Sequence, residues 1–173
     1  MPMRISHIAF SADELYLVIS AELGGGLAVY EVSALLQGST QSAFELSTNG
    51  KALRALAPNP TADKGELFAV VTDDGNLMVA NLKERSFVAG SNGQILKSGV
   101  SCISWSVKGK QLVAGLGDGT AFQMTPDGKE KGDIPRPPNI DTSDHGKSSC
   151  PYPSLMTLTT KFRQLRGWKT TFF

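Results

Sequence analysis

The feature that most constrains the fold of this chain is a pattern of short apolar strands separated by turns, which occurs three times. The pattern is clearest at residues 100–124, where the run 100–106 is followed by a polar turn and a second apolar run at 110–116. Gly-Asp-Gly at 117–119 then leads into a third run at 120–124. An Asp-Gly turn between two apolar runs predicts a β-hairpin. This stretch therefore predicts part of an antiparallel sheet.

The first copy of the pattern begins at residues 5–11, where apolar and polar residues alternate with period two, as in a half-buried strand. The continuous apolar run 15–20 predicts a strand covered on both faces. Gly24, Gly25 and Gly26 can adopt the positive φ angles that a tight reversal needs. The remaining elements predicted in this copy are a strand at 27–32, a weakly helical or looped connection at 33–42 and an outer fourth strand at 44–46.

The second copy begins near residue 53, and Pro58 ends its first strand because proline cannot donate to a sheet interior. Residues 67–72 form a fully apolar run that predicts a buried strand. Asp, Asn and Gly at 73–76 favour a turn, through side-chain hydrogen bonds and left-handed geometry. The copy is completed by a return strand at 77–82 and a candidate outer strand at 86–88.

The three copies have a regular spacing. Phe10, Pro58 and Trp105 occupy equivalent places, 48 and 47 residues apart, and Asp74 and Asp118 begin Asp-Gly turns 44 residues apart. A four-stranded unit that recurs at roughly 40 to 50 residues predicts the blades of a β-propeller. A β-sandwich is the alternative, but the recurrence of strand order and turn type favours the propeller. We predict an all-β fold, a partial β-propeller of three antiparallel blades at residues 5–48, 53–90 and 99–134, without long helices.

The remaining sequence differs from the blades. Residues 125–141 are interpreted as turn and linker with a proline-rich end, and the alternative is that these prolines bind a partner. Residues 1–141 contain 12 Lys and Arg against 15 Asp and Glu, whereas 142–173 contain 5 against 1. We therefore predict a domain at 1–141 and an irregular basic tail at 142–173. The cations and aromatics at 161–169 are compatible with binding to RNA or an acidic membrane, but the segment is short, so an accidental or disordered end is the better explanation.

Composition excludes several classes of protein. The net charge of +1 gives no indication of nucleic-acid binding, and no run of about 18 apolar residues predicts a membrane span. The N-terminus lacks the apolar core of a signal peptide. Cys102 and Cys150 have no metal-ligand spacing, and Cys102 is expected to be a buried thiol in a strand. These features predict a reducing compartment, the cytosol or the nucleus.

No motif in the sequence predicts catalysis. The glycine-rich run 115–119 follows a strand, but a phosphate loop requires a helix next, and the following residues predict a strand. His7 and His145 are the only histidines and have no zinc-binding spacing. We predict no catalytic, cofactor-binding or metal-binding residues and no cofactor. The alternative is a propeller enzyme whose channel holds the turn carboxylates, which are Asp73, Asp74 and Asp118.

The blades resemble the N-terminal β-propeller of the fungal cytoplasmic-face nucleoporins over residues 5–141. The segments that carry the resemblance are 5–11, 27–32, 73–77, 100–106, 117–120 and 134–138. The resemblance implies a seven-bladed, non-enzymatic propeller of the nuclear pore complex. It further implies docking of a DEAD-box RNA helicase for mRNA export and association with other nucleoporins, without direct nucleic-acid binding or membrane insertion. The alternative is a generic WD-type adaptor unrelated to the pore. No contact motif matches, so the partner-binding residues are unknown.

The sequence departs from that family in two ways. Three blades cannot close a ring, so sheet faces that neighbouring blades normally cover are expected to be exposed. The family pattern would also continue with another strand after the proline-rich connection, where this chain has the basic tail. We expect from this change that the sequence is a truncated product or gene model, with residue 142 onward read from an intron or a shifted frame.

Overall fold

Residues rich in β-branched and aromatic side chains form twelve strands, arranged as three four-stranded antiparallel sheets. The computed structural model describes residues 4–22, 25–89 and 94–135, all within the compact unit Met1–Pro138. In each sheet the strands lie side by side in sequence order. We call the sheets blades 1, 2 and 3. The all-β class and the partial propeller predicted from the sequence are confirmed.

The strands of the blades have the following bounds. Blade 1 contains β1 (Ile5–Phe10), β2 (Tyr16–Ala21), β3 (Leu27–Glu31) and β4 (Phe44–Leu46), with a short helix α1 (Val32–Leu36) before β4. Blade 2 contains β5 (Leu53–Pro58), β6 (Leu67–Thr72), β7 (Leu77–Asn81) and β8 (Ser86–Phe87), with a 3₁₀ turn at Ala62–Lys64. Blade 3 contains β9 (Val100–Trp105), β10 (Leu112–Leu116), β11 (Ala121–Met124) and β12 (Glu130–Ile134).

The repeat predicted from residue spacing holds at the level of backbone pairing. The three residues placed as equivalent, Phe10, Pro58 and Trp105, each end the first strand of a blade. These three residues pair with Leu17, Phe68 and Leu112 respectively. The first strands of neighbouring blades contact each other, β1 with β5 and β5 with β9. The blades therefore pack side by side with their first strands closest together.

Two hydrophobic cores lie between the blades, and blade 2 contributes to both. Phe68 and Val70 of β6 point into the core shared with blade 1, where they lie among Val18, Val29 and Met78. Successive side chains of a strand point to opposite faces. The alternate residues of β6, Ala69 and Val71, therefore point into the core shared with blade 3. The other residues of that core include Val79, Leu112, Ala114, Phe122 and Met124. Every residue of β6 is buried as a result.

The outer face of blade 1 has no covering element among the described residues. Strand β1 alternates as predicted, but its larger apolar side chains point away from the core. Ile8 is 61% exposed and Phe10 is 56% exposed, whereas Ala9 packs against the core shared with blade 2. The apolar residues of a half-buried strand were expected on the covered face. The order is reversed because no described residue covers Ile8 and Phe10.

Two predictions about strands are wrong. The apolar run 15–20 was expected to be covered on both faces, but only Val18 and Ser20 of β2 are buried, because the described residues cover blade 1 on one side only. Residues 125–141 were interpreted as turn and linker, but β12 pairs with β11 and forms a fourth strand there. All five residues of β12 are exposed, so the segment has no hydrophobic pattern that would predict a strand.

The turns largely follow the predictions. Gly25 and Gly26 have positive φ angles of 58° and 131°, and Gly75 and Gly119 have φ angles of 83° and 81°. Gly24 lies outside the described residues. The connection expected to be weakly helical or looped contains α1, which is five residues long. The predicted tail at 142–173, with His145 and Cys150, also lies outside the described residues, so its boundary remains a prediction.

Candidate interaction surfaces

The turns of the blades form two opposite rims, because successive turns in an antiparallel sheet lie at opposite ends of the strands. Rim A carries the loops that join first to second strands and third to fourth strands. Rim B carries the loops that join second to third strands and the connections from one blade to the next. Loops held by a rigid scaffold are where binding and catalytic groups concentrate. The candidate residues can therefore be placed rim by rim.

The glycine-rich segment of blade 3 is a hairpin turn on rim B. The amide of Gly119 donates to the carbonyl of Leu116 at 3.1 Å, and the strand β11 follows. The carboxylate of Asp118 accepts from the amide of Thr120 at 2.8 Å and from its hydroxyl. With a strand in place of a helix, the turn has no helix N-terminus to bind a phosphate.

The three carboxylates considered for acid–base chemistry lie on two turns of rim B. Asp73 and Asp74 are in the turn between β6 and β7, and Asp118 is in the turn between β10 and β11. The carboxylate of Asp74 accepts a hydrogen bond from the hydroxyl of Thr72. Its second oxygen lies 3.8 Å from the ammonium group of Lys51, which is an exposed ion pair. The described side-chain hydrogen bonds of Asp74 and Asp118 are those of residues that stabilise turns.

The pKa of Asp74 is lowered from its ordinary value of 3.8. The main cause is the hydrogen bond from Thr72, and slight burial acts in the opposite direction. The positive charge of Lys51 and nearby backbone amides lower the pKa further. A carboxyl group with a lowered pKa stays ionised near neutral pH, whereas a general acid requires a raised pKa. Asp74 is therefore suited to accept hydrogen bonds and not to donate a proton.

His7 and Cys102 lie in different blades. The Nε2 atom of His7 is 3.2 Å from the carbonyl oxygen of Arg54, and this contact joins β1 to β5. Cys102 is half-buried on the outer face of blade 3, where the hydroxyl of Ser101 donates to its sulfur at 3.8 Å. The expectation of a buried thiol is therefore wrong, since no described element covers that face of blade 3. Within the ranges 4–22, 25–89 and 94–135, no group of three or more metal-ligating side chains converges.

Asn59 fastens blade 2 to blade 3 on rim A. Its side-chain amide donates to the carbonyl of Gly109 at 2.9 Å, and its side-chain oxygen accepts from the amide and the hydroxyl of Thr61. The residue is fully buried. The indole NH of Trp105 adds a second link, because it donates to the carbonyl of Ala57 at 3.0 Å. Sequence reasoning did not identify Asn59, because an asparagine next to a proline predicts only a turn.

A groove of about 360 Å³ opens on rim A between blades 2 and 3. Four carboxylates and one amine line it, and they are Asp63, Glu66, Glu84, Asp127 and Lys64. Leu67, Val88 and Pro126 provide its apolar surface. None of these residues was singled out from the sequence, because they come from three separate loops that only the fold brings together. The groove offers hydrogen-bond acceptors and net negative charge to a partner.

The fold and these surfaces define a class of protein, a β-propeller scaffold that presents loops. Within the described part of the chain, no helix has the length and hydropathy needed to span a bilayer. The chain belongs to the NUP159/214 β-propeller family, whose family model matches residues 1–162. The resemblance noted from the sequence is thereby confirmed, and the chain is a segment of a nucleoporin, a component of the nuclear pore complex.

Three relatives illustrate the similarity. Nucleoporin NUP159 of Chaetomium thermophilum is 61% identical over 140 residues, which cover 81% of this chain and 10% of the relative. Nucleoporin nup146 of Schizosaccharomyces pombe is 32% identical, over 80% of this chain and 10% of the relative. Nuclear pore complex protein Nup214 of Homo sapiens is 32% identical, over 84% of this chain and 7% of the relative. The chain thus spans about a tenth or less of the length of these relatives.

Proposed function

We propose that this chain is part of a non-enzymatic propeller at the cytoplasmic face of the nuclear pore complex, where it docks a DEAD-box RNA helicase for mRNA export. Membership in the NUP159/214 β-propeller family is the observation that carries this proposal. Other nucleoporins would be its neighbours in the assembly. Under this proposal the chain inserts into no membrane and contacts nucleic acid only through the helicase.

The rims support a docking role. Their loops are held between strands that share two buried cores, so a partner would meet a surface that is already ordered. Binding to a pre-organised surface avoids the entropic cost of ordering loops. The turn carboxylates Asp74 and Asp118 are engaged by threonine side chains, which supports a structural role for them over a catalytic one.

The acidic groove on rim A is the part of the described surface that suits such a helicase best. A protein that binds RNA carries basic surface to neutralise phosphates. Opposite charges across an interface steer association and select the partner. We therefore expect the helicase to approach rim A with lysine and arginine side chains near Glu84 and Asp127.

A binding measurement with the purified helicase tests this proposal. The 173-residue chain is immobilised, and the affinity for the helicase is measured at low and moderate salt with RNA absent. The double variant Glu84→Lys/Asp127→Lys should weaken binding about tenfold or more, because it reverses charge in the groove. The matched control Glu31→Lys/Asp133→Lys makes the same change of charge at exposed positions that do not line the groove.

Each outcome of this measurement decides one part of the proposal. Binding that the groove variant weakens and the control retains supports both helicase docking and the use of rim A. Binding that both variants retain contradicts the groove but keeps the helicase. No binding by the wild-type chain, when the helicase is active in RNA-stimulated ATP hydrolysis, contradicts helicase docking and leaves a structural role in the pore.

A further inference from the structure

The connection from blade 1 to blade 2 is a tight turn built on an asparagine followed by a glycine. Asn49 and Gly50 occupy its two central positions with positive φ angles of 55° and 75°, as a type I′ turn requires. The amide of Lys51 donates to the carbonyl of Thr48 at 3.1 Å and closes the turn. Asn49 and Gly50 are exposed, whereas Thr48 is buried. The asparagine and the nitrogen that follows it therefore lie at an exposed tip.

An asparagine side chain is open to attack by the backbone nitrogen of the next residue. That nitrogen bonds to the side-chain carbonyl carbon, Cγ, and closes a five-membered ring. Glycine favours this reaction, because it has no Cβ to obstruct the approach and its backbone has the widest choice of conformations. The space around Gly50 is open, since a Cβ built there would meet nothing within 4 Å. The local chemistry therefore favours ring closure at Asn49.

The nitrogens that follow the other asparagines of the described chain are less free. Those after Asn76 and Asn81 donate to backbone carbonyls, at 2.7 Å and 2.9 Å respectively. The one after Asn59 belongs to a proline and carries no hydrogen that ring closure could release. By contrast, no described residue accepts a hydrogen bond from the amide of Gly50. The nucleophile is thus unengaged at Asn49 and engaged or blocked at the other three positions.

The side chains of these three asparagines are also held in place. The side-chain oxygen of Asn59 accepts from the amide and the hydroxyl of the residue two positions on. That of Asn76 accepts from the hydroxyl of Ser98 at 2.8 Å, and that of Asn81 accepts from two amides of its own blade. No described residue hydrogen-bonds to the side chain of Asn49. Among the described asparagines, both reacting groups are unrestrained at this position alone.

We propose that Asn49 is a site of spontaneous deamidation and that the isoaspartate formed there loosens the connection between blades 1 and 2. The nitrogen of Gly50 bonds to Cγ of Asn49 and loses its proton. The Cγ–Nδ2 bond breaks as the amino group takes up a proton and leaves as ammonia. Water then opens the ring at Cγ to give aspartate, or at the backbone carbonyl carbon to give isoaspartate. The proposal does not depend on helicase docking and is tested without the helicase.

Isoaspartate changes the backbone where the two blades join. The chain then runs through Cβ and Cγ, which adds one methylene to the turn, and a new carboxylate is left beside it. The turn has little room for this change, because a Cβ at Gly25 would already lie 2.4 Å from the nitrogen of Lys51. Leu46 and Leu53 flank the turn in sequence and are buried in the core between blades 1 and 2. A longer backbone therefore displaces the loop at Gly25 or the edge of that core.

Peptide mapping of the aged 173-residue chain by mass spectrometry is the primary test. The chain is kept at mildly alkaline pH in water labelled with heavy oxygen, and samples are taken over days to weeks. We expect label at Asn49 to appear about tenfold or more faster than at Asn76 or Asn81, because their following nitrogens are held in hydrogen bonds and precede no glycine. Fragmentation of the peptides separates Asn49 from Asn92, which also precedes a glycine and lies outside the described residues.

The variant Asn49→Gly is the matched control for the effect on the blades. Glycine tolerates the positive φ angle at this position and has no side chain to react. The aged wild-type chain should unfold at a lower urea concentration than fresh chain, whereas aged and fresh Asn49→Gly should unfold alike. The variant retains Asn92, so effects of ageing there appear in both chains.

Each outcome decides one part of the proposal. Label at Asn49 that is absent, or no faster than at Asn76 and Asn81, overturns the assignment of the site. Label at Asn49 with an unchanged urea midpoint overturns the loosening of the blades, and so does an equal loss of stability in aged Asn49→Gly. Fast label at Asn49 with a lower midpoint in the wild-type chain alone supports both parts.

Discussion

Strands β2 and β6 hold the same place in blades 1 and 2 but have different environments. Both are short runs of mainly apolar residues in the second position of a blade. All of β6 is buried, whereas β2 buries only alternate residues. The difference arises from position, because within the part of the chain that the structure describes blade 2 has a neighbour on each face and blade 1 has one. Burial of a strand in this fold is therefore a property of the neighbouring blades as much as of the strand itself.

Contacts within a blade also differ from contacts between blades. Contacts within a blade come from backbone pairing and local turns, which each copy of the repeat forms by itself. Contacts between blades 2 and 3 include the buried Asn59 and the indole of Trp105, which join residues 50 and 48 positions apart in sequence. Paired substitutions can compare the middle blade with an outer blade. They can also compare a contact between blades with a contact within one blade.

The largest effect is expected from Phe68→Ala compared with Phe10→Ala. Phe68 is fully buried in the core between blades 1 and 2, so its removal should lower the free energy of unfolding by about 3–5 kcal/mol. Phe10 is 56% exposed, so the same substitution should cost about 1 kcal/mol or less. Urea unfolding followed by circular dichroism measures both. Equal costs would contradict the distinction between the blades.

The next effect is expected from Gly109→Ala compared with Gly99→Ala. Both glycines have positive φ angles, 60° and 77°, so alanine at either position costs about 1–2 kcal/mol from the backbone. A Cβ at Gly109 would also lie 2.2 Å from the side-chain oxygen of Asn59, whereas one at Gly99 would meet nothing within 4 Å. Gly109→Ala should therefore lower the free energy of unfolding by about 1–3 kcal/mol more than Gly99→Ala. A larger loss for Gly99→Ala would show that the two blades are not fastened at Gly109.

A smaller effect is expected from Asn59→Ala compared with Asn81→Ala. Asn59 joins two blades from a buried position, and its loss leaves the carbonyl of Gly109 without its donor, at a cost of about 1–3 kcal/mol. The side-chain oxygen of Asn81 accepts from the amides of Lys83 and Glu84 within its own blade, so its loss should cost about 1 kcal/mol or less. Thermal unfolding of both variants measures the difference, and a reversed order would contradict the importance of the link between blades.

The smallest effect is expected from Asp74→Asn and depends on pH. The pKa of Asp74 is lowered in the folded chain, so its contribution to stability is present above 3.8 and is lost as the pH falls through the folded-state value. Wild type should be slightly more stable than Asp74→Asn at pH 6, by less than about 1 kcal/mol because the ion pair with Lys51 is exposed. The difference should shrink as the pH falls below 3.8. A difference that grows on acidification would contradict the assignment.

Much of the fold could be predicted from the sequence, because the signals are local. Turn residues such as Gly75 and Gly119 and the apolar runs between them mark the strands, and Pro58 marks the end of one. Strand β12 was missed because it is held by backbone pairing to β11 and buries no side chain. Burial was predicted less well than strand position. The exposure of Ile8 and Cys102 depends on which blades lie beside their strands, and a local sequence pattern does not report this.

The candidate surfaces could not be predicted in the same way. The acidic groove gathers Glu66, Glu84 and Asp127 from loops that are distant in sequence, so only the packing of blade 3 on blade 2 creates it. Asn59 has a local pattern that indicates a turn, and its role follows from the close approach of Gly109. The place of Asp74 in a turn was better indicated, because Asp-Gly between two apolar runs already predicts a turn.

Hydrogen–deuterium exchange of the wild-type chain tests most directly the central claim, that blade 2 owes its stability to neighbours on both faces. The measurement compares peptides from β6 and β7 with peptides from β2 and β3 at low concentration. The predicted result is slowest exchange in β6 and β7, at the rate of global unfolding, with β2 and β3 exchanging faster through partial opening of blade 1. Equally slow exchange in all four strands at that concentration would contradict the claim.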